Sequence, residues 1–164
     1  MEVLIEKLIE VTRETGTPRI VKLWNPGALD HKLHHRMASI ERTDEHTRID
    51  FIYRAPDCYI NGGWIQMEGT AYISPVGSGT KYSLIQAINI PIAPVKHYFK
   101  RKGEFHTYTL IFPALPATTQ KIDIIEKEAP GTYFNFYGVD FSKWMSVPHP
   151  AYASHPAYAG SCNN

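Results

Sequence analysis

The sequence contains few of the features that mark zinc-binding or disulfide-rich proteins. Its only cysteines, Cys58 and Cys162, lie far apart in a chain of 164 residues. A zinc knuckle needs closely spaced cysteine pairs, so this separation argues against one. The same two residues suit either free thiols or one long-range disulfide, and we predict free thiols.

Long apolar runs are also missing. In the N-terminal stretch MEVLIEKLIEVTRETG, charged residues such as Glu6, Lys7 and Glu10 interrupt the apolar ones, unlike the continuous apolar core of a signal peptide. No run is long enough to span a bilayer. We therefore expect no membrane insertion and, for the sequence as written, a cytoplasmic protein. Removal of a leader would make an envelope or extracellular location the expectation.

Charge of one sign is not in excess. The chain has 17 Lys and Arg against 16 Asp and Glu, a formal net charge of +1. Such a balance provides no overall field to attract nucleic acid or an anionic membrane, so nucleic acid is not a favoured partner. With 43% hydrophobic residues, a chain of this length predicts one globular domain with a buried core.

Catalytic motifs are scarce. The sequence has neither a GxSxG motif nor a glycine-rich phosphate-binding loop, and Cys58 has no evident histidine partner. Asp123 and Glu126 form an acidic pair at KIDIIE, where we expect ordinary exposed carboxylates. We therefore predict that the protein is not an enzyme and needs no cofactor.

The sequence does contain a series of extended segments separated by turn signals. In TRIDFIYRAP, Thr47, Ile49, Phe51 and Tyr53 alternate with polar residues, as in a strand with one buried face. Other such segments are RIVKLW, GGWIQMEGTAYISP, TKYSLIQAINIP, EFHTYTLIF, KIDIIE and TYFNFYGVDF. This pattern with little helix predicts an all-β protein, a two-sheet antiparallel β-sandwich.

Two prolines in TLIFPALPATTQKIDIIE predict a corner between two strands. Pro113 removes a donor from the strand ladder, and Pro116 fixes the backbone where the chain leaves. Leu115 between them can fill the end of the core, while Ile122 and Ile124 resume a strand. We expect the prolines to end one sheet and direct the chain to the other.

The run HTYTLIFPALPATTQ, followed by KIDIIE and FNFYGVD, resembles a pattern in bacterial immunoglobulin-like accessory domains. Those domains also carry a strand similar to TRIDFIYRAP and a hairpin similar to TKYSLIQAINI, so the similarity spans roughly residues 19–141. The resemblance implies an immunoglobulin-like sandwich. Domains of this family often precede an enzyme domain or belong to envelope proteins, and the resemblance implies no catalytic residues.

We divide the chain into three parts. Residues 1–18 form a short N-terminal helix and linker, residues 19–144 the β-sandwich, and residues 145–164 a Pro/Tyr-rich irregular tail. The helix is predicted from apolar residues at three- and four-residue steps. The tail repeats HPAYA, and we expect Tyr152 and Tyr158 there to lie on a partner surface.

The histidine-rich segment DHKLHH is the one candidate metal site. In a helix, His31 and His35 would share a face at a spacing suited to a divalent metal, with His34 beside them. A turn-forming Asn-Pro-Gly sequence just before the segment favours a solvated loop instead. We therefore predict no metal site and keep these three histidines as weak candidates.

Two segments are candidates for binding a ligand or partner. Asn-Gly-Gly precedes Trp64 and could present it to a sugar or peptide, although we favour a strand that begins at Trp64 and packs it in the core. In KHYFKRKGEFH, Lys100 and Arg101 accompany Tyr98 and Phe99, a basic and aromatic combination that suits polyanions. A hairpin tip at Lys102-Gly103 explains the same charges as edge protection, and we favour that explanation.

These observations predict a non-catalytic binding or structural module that contributes to a larger protein assembly. Its partner would be another protein or a second copy of itself, contacted through edge strands or the aromatic tail. The alternative is a β-sandwich that binds a small ligand or carbohydrate through Trp64 and nearby loops. The third hypothesis is a metal-dependent enzyme that uses His31, His34 and His35.

Overall fold

The computed structural model describes the backbone of residues 21–24 and the full residues 35–140. Every regular element in these ranges is a β-strand, so the all-β prediction is confirmed there. The strands are β1 (Val21–Trp24), β2 (His35–Arg42), β3 (His46–Arg54), β4 (Trp64–Ile65), β5 (Tyr72–Pro75), β6 (Tyr82–Ser83), β7 (Gln86–Ile88), β8 (His97–Tyr98), β9 (Phe105–Pro113), β10 (Lys121–Ile125) and β11 (Phe136–Asp140). No helix in the part of the chain described is long and apolar enough to cross a membrane.

Three predictions fall on other parts of the chain. The N-terminal helix at residues 1–18, the histidines His31 and His34, and the tail with Tyr152 and Tyr158 all lie outside the described residues.

The strands form three antiparallel sheets. The largest has the order β1-β2-β3-β9-β7, the second has the order β11-β10-β5-β6, and β4 pairs with β8 in a two-stranded sheet. In the largest sheet β3 lies between β2 and β9, where Ile49 is opposite Ile40 on one side and Leu110 on the other. The alternation predicted for β3 is confirmed, because Thr47, Ile49, Phe51 and Tyr53 are all buried.

The two larger sheets share one hydrophobic core. Phe51 of β3 packs on Phe136 of β11 with ring centroids 5.5 Å apart, and Phe51 also stacks on Tyr108 of β9. Aliphatic residues from both sheets, such as Ile73 and Ile122, are fully buried in the same cluster. Burial of each large side chain of this kind contributes about 1.5–3 kcal/mol to folding.

One extended segment joins the two larger sheets. Its first part, β6, pairs with β5, and its second part, β7, pairs with β9. The change of sheet occurs between Leu84, whose N–H donates to the carbonyl of Ala71, and Ile85, whose N–H donates to Ile111, both at 2.8 Å. The sequence predicted a single strand here because the local pattern does not reveal a change of partner.

The predicted proline corner is confirmed. Strand β9 belongs to the largest sheet and β10 to the second, and Leu115 between them is buried in the core. The N–H of Thr119 donates to the carbonyl of Pro116 at 2.9 Å to close the turn. The guanidinium of Arg42 also donates to the carbonyls of Pro116 and Thr119, at 2.7 and 2.9 Å, which holds the corner against β2.

Cys58 lies in the exposed loop after β3 and is disulfide-bonded. The prediction of a free thiol is therefore wrong for Cys58. The other cysteine of the sequence, Cys162, lies outside the described residues.

Candidate functional site

The two-stranded sheet carries an exposed pair of aromatic side chains. Trp64 of β4 and Tyr98 of β8 are directly opposite each other, and Ile65 is opposite His97. Directly opposite residues of an antiparallel pair project their side chains from the same face. Trp64 is 44% exposed and Tyr98 66% exposed, whereas Ile65 is buried, so the two rings lie on the outer face.

A lysine completes this surface. The ammonium of Lys96 lies 3.9 Å from the centroid of the Trp64 ring, within the range of a cation–π contact. Contacts of this kind at exposed sites contribute about 0.5–1 kcal/mol. We call Trp64, Lys96 and Tyr98 the aromatic platform.

Two glycines with left-handed backbone angles precede Trp64. Gly62 and Gly63 have positive φ angles of 75° and 73°, which side-chain-bearing residues rarely adopt. A Cβ atom on Gly62 would lie 2.4 Å from the carbonyl oxygen of Arg101. A residue with a side chain therefore cannot occupy position 62 unless the backbone moves. The predicted strand start at Trp64 is confirmed, but the prediction of core packing is wrong, because Ile65 takes the inward position.

Alternate residues around β8 point outward. Lys96, Tyr98 and Lys100 are exposed, whereas His97 is partly buried and Phe99 is buried in the core. Phe99 stacks on Tyr53 with ring centroids 5.4 Å apart. Phe99, one of the weak binding candidates of the sequence, is therefore a core residue and lies beneath the platform.

The cationic turn Lys100-Arg101-Lys102 follows the platform directly, and all three residues are exposed. The turn ends at Gly103, which has a φ of 72° and donates its N–H to the carbonyl of Ala55 at 2.9 Å. It is not a hairpin tip, because β8 pairs with β4 while β9 pairs with β3 and β7. The turn is instead a link between two sheets.

The carboxylates near this turn are already engaged. Asp57 accepts two hydrogen bonds from the guanidinium of Arg54, at 3.0 and 3.1 Å, and these bonds lower the pKa of Asp57 below its usual range. Glu104 accepts the backbone N–H of Lys100 at 3.2 Å. Both carboxylates remain charged, but Arg54, Lys96 and the three cations of the turn outnumber them, so the surface beside Tyr98 carries an excess of positive charge.

An open depression adjoins the platform and shares Lys96 with it. The depression is lined by Asn89, Ile90, Pro91, Lys96 and His97. The His97 ring lies 4.3 Å from the ring of His106, and the pKa of His97 is lowered by burial and by its proximity to His106. His106 hydrogen-bonds to the backbone carbonyl of Asn89 through Nε2.

His35 does not belong to a solvated histidine loop. It begins β2 and is fully buried, with Nδ1 hydrogen-bonded to the hydroxyl of Tyr108 at 2.8 Å. Its ring packs on Phe134 with centroids 3.4 Å apart. Among residues 35–140 no group of three or more His, Cys, Asp or Glu side chains is placed to hold a metal ion.

Glu126 departs most from the sequence prediction. It is 4% exposed, so the expectation of an ordinary exposed carboxylate is wrong for this residue. Its oxygens accept the backbone N–H groups of Glu68 at 3.2 Å and Phe134 at 2.7 Å. Burial raises the pKa of Glu126 to about 7. The apolar Ile-Ile immediately before it was the available signal, because both residues are buried and the end of β10 therefore lies in the core.

Comparison of the chain with protein-family models, with curated protein sequences and with solved structures gave no match. The resemblance to bacterial immunoglobulin-like accessory domains therefore stays a prediction. The aromatic platform and the cationic turn beside it form the candidate functional site.

Proposed function

We propose that the chain is a non-catalytic recognition module that binds a protein partner through the aromatic platform. The observation that carries the proposal is the cross-strand pairing of Trp64 and Tyr98 on an outer face. Tryptophan and tyrosine are enriched at protein interfaces and dominate binding energy when a partner buries them. The buried Ile65 and Phe99 beneath them provide a firm support.

The surroundings of the platform also favour a protein partner. Tyr59 packs over Gly63, where its ring would be 3.1 Å from an added Cβ atom, and it remains largely exposed. Ile60 is 89% exposed and Val95, next to Lys96, is also exposed. Exposed apolar side chains that gather beside aromatic residues mark interaction sites more often than isolated ones do.

We also propose that the scaffold is an immunoglobulin-like two-sheet β-sandwich. The core shared by the two larger sheets supports this architecture, as does the segment that passes from β6 in one sheet to β7 in the other. A rigid sandwich that holds a binding surface on its connecting segments is a common arrangement for recognition domains.

A second candidate is binding of a small ligand or carbohydrate. The depression beside the platform favours it, because the polar side chains of Asn89 and His97 line a concave surface there together with Lys96. A titration with a panel of neutral oligosaccharides tests this candidate. Saturable binding that is lost in Trp64→Ala without a change in melting temperature would support it, and no binding across the panel would remove it.

We infer an oxidising compartment as the location, because disulfides persist there and are rare in the cytosol. The disulfide at Cys58 supports this inference in place of the cytoplasmic expectation. Alkylation of the protein under non-reducing conditions directly from its native cells, followed by mass spectrometry of the Cys58 peptide, tests it. An alkylated Cys58 would contradict the inference.

Quantitative affinity purification from the native cells tests the recognition function. We expect one near-stoichiometric protein partner with the wild-type chain and a roughly tenfold or greater loss with the double variant Trp64→Ala, Tyr98→Ala. Tyr137→Ala is the matched control, since Tyr137 is 61% exposed but belongs to β11 of another sheet. Equal recovery by the double variant would contradict the proposal.

A further inference from the structure

We propose that the partner segment bound by the aromatic platform is acidic, an extended stretch in which Asp and Glu residues accompany an apolar anchor. This inference rests on the proposed recognition function and names the chemistry of the partner. It depends on three features of the platform: the outward alternation around β8, the excess of positive charge, and the position of Lys96 on Trp64.

Because alternate residues around β8 point outward, two lysine side chains flank one tyrosine ring on the outer side. Lys96, Tyr98 and Lys100 are exposed on the outer side, and Lys96 and Tyr98 both adjoin Trp64. Alternate residues of an extended chain lie about 6.5–7 Å apart. In an extended partner, two carboxylates four residues apart with an apolar side chain midway repeat the sequence spacing of Lys96, Tyr98 and Lys100. Such carboxylates can meet the two ammonium groups while the apolar side chain meets Tyr98.

The cations in this part of the surface outnumber the carboxylates. Lys96, Lys100, Arg101 and Lys102 are all exposed. Two carboxylates lie nearby: Asp57, which pairs with Arg54 and also acts on Lys102, and Glu104, which accepts a backbone N–H. Charge complementarity of this kind accelerates association and selects acidic partners over basic ones.

The geometry favours an acidic peptide over a long anionic polymer. Lys96 lies over one face of the Trp64 ring, and a sugar or base would have to displace it to stack there. A carboxylate can instead contact the Lys96 ammonium while the indole keeps its cation–π contact. The cations lie within the seven residues 96–102, and a net charge of +1 gives a long polyanion no further attraction.

Selection of a phage-displayed library of random 12-residue peptides on the full chain tests this inference. Selected peptides are synthesised and titrated against the wild type, the charge-neutralised variant Lys96→Gln, Lys100→Gln, and the variant Trp64→Ala, Tyr98→Ala. The matched control is Thr118→Glu, Gln120→Glu, which lowers the net charge by the same amount at exposed positions of the proline corner.

We expect enriched peptides with net negative charge, whose affinity falls roughly tenfold or more in the charge-neutralised variant and is unchanged in the control. Their affinity should also fall as salt increases. Selection of neutral peptides whose affinity depends on Trp64 and Tyr98 but not on the lysines would overturn the inference of an acidic partner. The proposed recognition function would be unaffected by that result. Platform-dependent binding of a sulfated polysaccharide without acidic peptides would also overturn it. The absence of any peptide that depends on Trp64 or Tyr98, together with unchanged partner recovery in the double variant, would remove both proposals.

Discussion

Among single residues, Glu126 shows most clearly how burial changes the pKa of a side chain. Its carboxylate joins two separate segments, because one oxygen accepts the N–H of Glu68 and the other accepts the N–H of Phe134. These hydrogen bonds favour the charged form, but burial outweighs them and raises the pKa to about 7. Between about pH 4.5 and 7, Glu126 is therefore mostly protonated in the folded protein and mostly ionised in the unfolded chain.

We expect Glu126→Gln to remove a pH-dependent part of the stability. A raised pKa contributes stability that is fully present below the unfolded pKa of 4.5 and is lost as pH rises through about 7. The contribution is on the order of 3 kcal/mol across this window. Urea unfolding at several pH values should show the stability of the wild type falling relative to the variant as pH rises, until its lead is lost or reversed.

The amide in the variant retains one acceptor oxygen for two N–H donors, so we also expect a loss of about 1–3 kcal/mol at pH 5. Glu45→Gln is the control, since Glu45 is exposed in the turn between β2 and β3. Parallel stability curves for the wild type and Glu126→Gln across the whole range would show that Glu126 does not titrate in this way.

Among the elements, the proline corner depends on a single buried side chain. Leu115 is the one core residue between β9 and β10, and it closes the space where the chain passes from one sheet to the other. Removal of its side chain beyond Cβ leaves a cavity that the two prolines prevent the backbone from filling.

We therefore expect Leu115→Ala to lower the free energy of unfolding by about 2–4 kcal/mol, measured by urea denaturation. Thr118→Ala in the same turn should change it by less than about 0.5 kcal/mol, because Thr118 is exposed. A loss below about 1 kcal/mol in Leu115→Ala would mean that the corner does not depend on this side chain.

The turn that presents Trp64 provides a second test at this scale. Gly62 and Gly77 both have positive φ, of 75° and 80°, but only Gly62 approaches another backbone. We expect Gly77→Ala to cost about 1 kcal/mol from the backbone angle alone. Gly62→Ala adds a clash with the carbonyl of Arg101, so we expect a total loss of about 2–4 kcal/mol. Equal losses in the two variants, measured by thermal or urea unfolding, would disprove the close approach.

Local patterns were sufficient to predict most of the elements. The alternation in β3 and the proline corner are properties of neighbouring residues, and the structure has both. The outward position of Trp64 and the burial of Glu126 could not be predicted in the same way. They depend on contacts with Arg101, Glu68 and Phe134, which other segments of the chain contribute.

The candidate site was predicted in part. The sequence indicated Trp64 and the basic aromatic segment as two separate candidates, and the structure joins them by pairing β4 with β8. Pairing between short, distant strands leaves almost no trace in local sequence, because two residues are too few to show a period. For the same reason, the sequence pattern did not predict the change of sheet between Leu84 and Ile85.

At the scale of the whole molecule, the two larger sheets and the proposed recognition surface are distinct parts of the described chain. The two larger sheets bury the core, while the two-stranded sheet presents Trp64 and Tyr98 to solvent over Ile65 and Phe99. Loss of the exposed rings should therefore leave folding intact. The net charge of +1 also means that the positive charge beside Tyr98 is a local feature.

The most direct test of the central claim is site-specific photo-cross-linking in the native cells. A photoreactive phenylalanine analogue is placed at position 98 in the platform or, as the control, at position 137 on β11. Recognition through the platform predicts one protein covalently captured from position 98 and not from position 137. Capture of the same proteins from both positions, or of none from position 98, would contradict it.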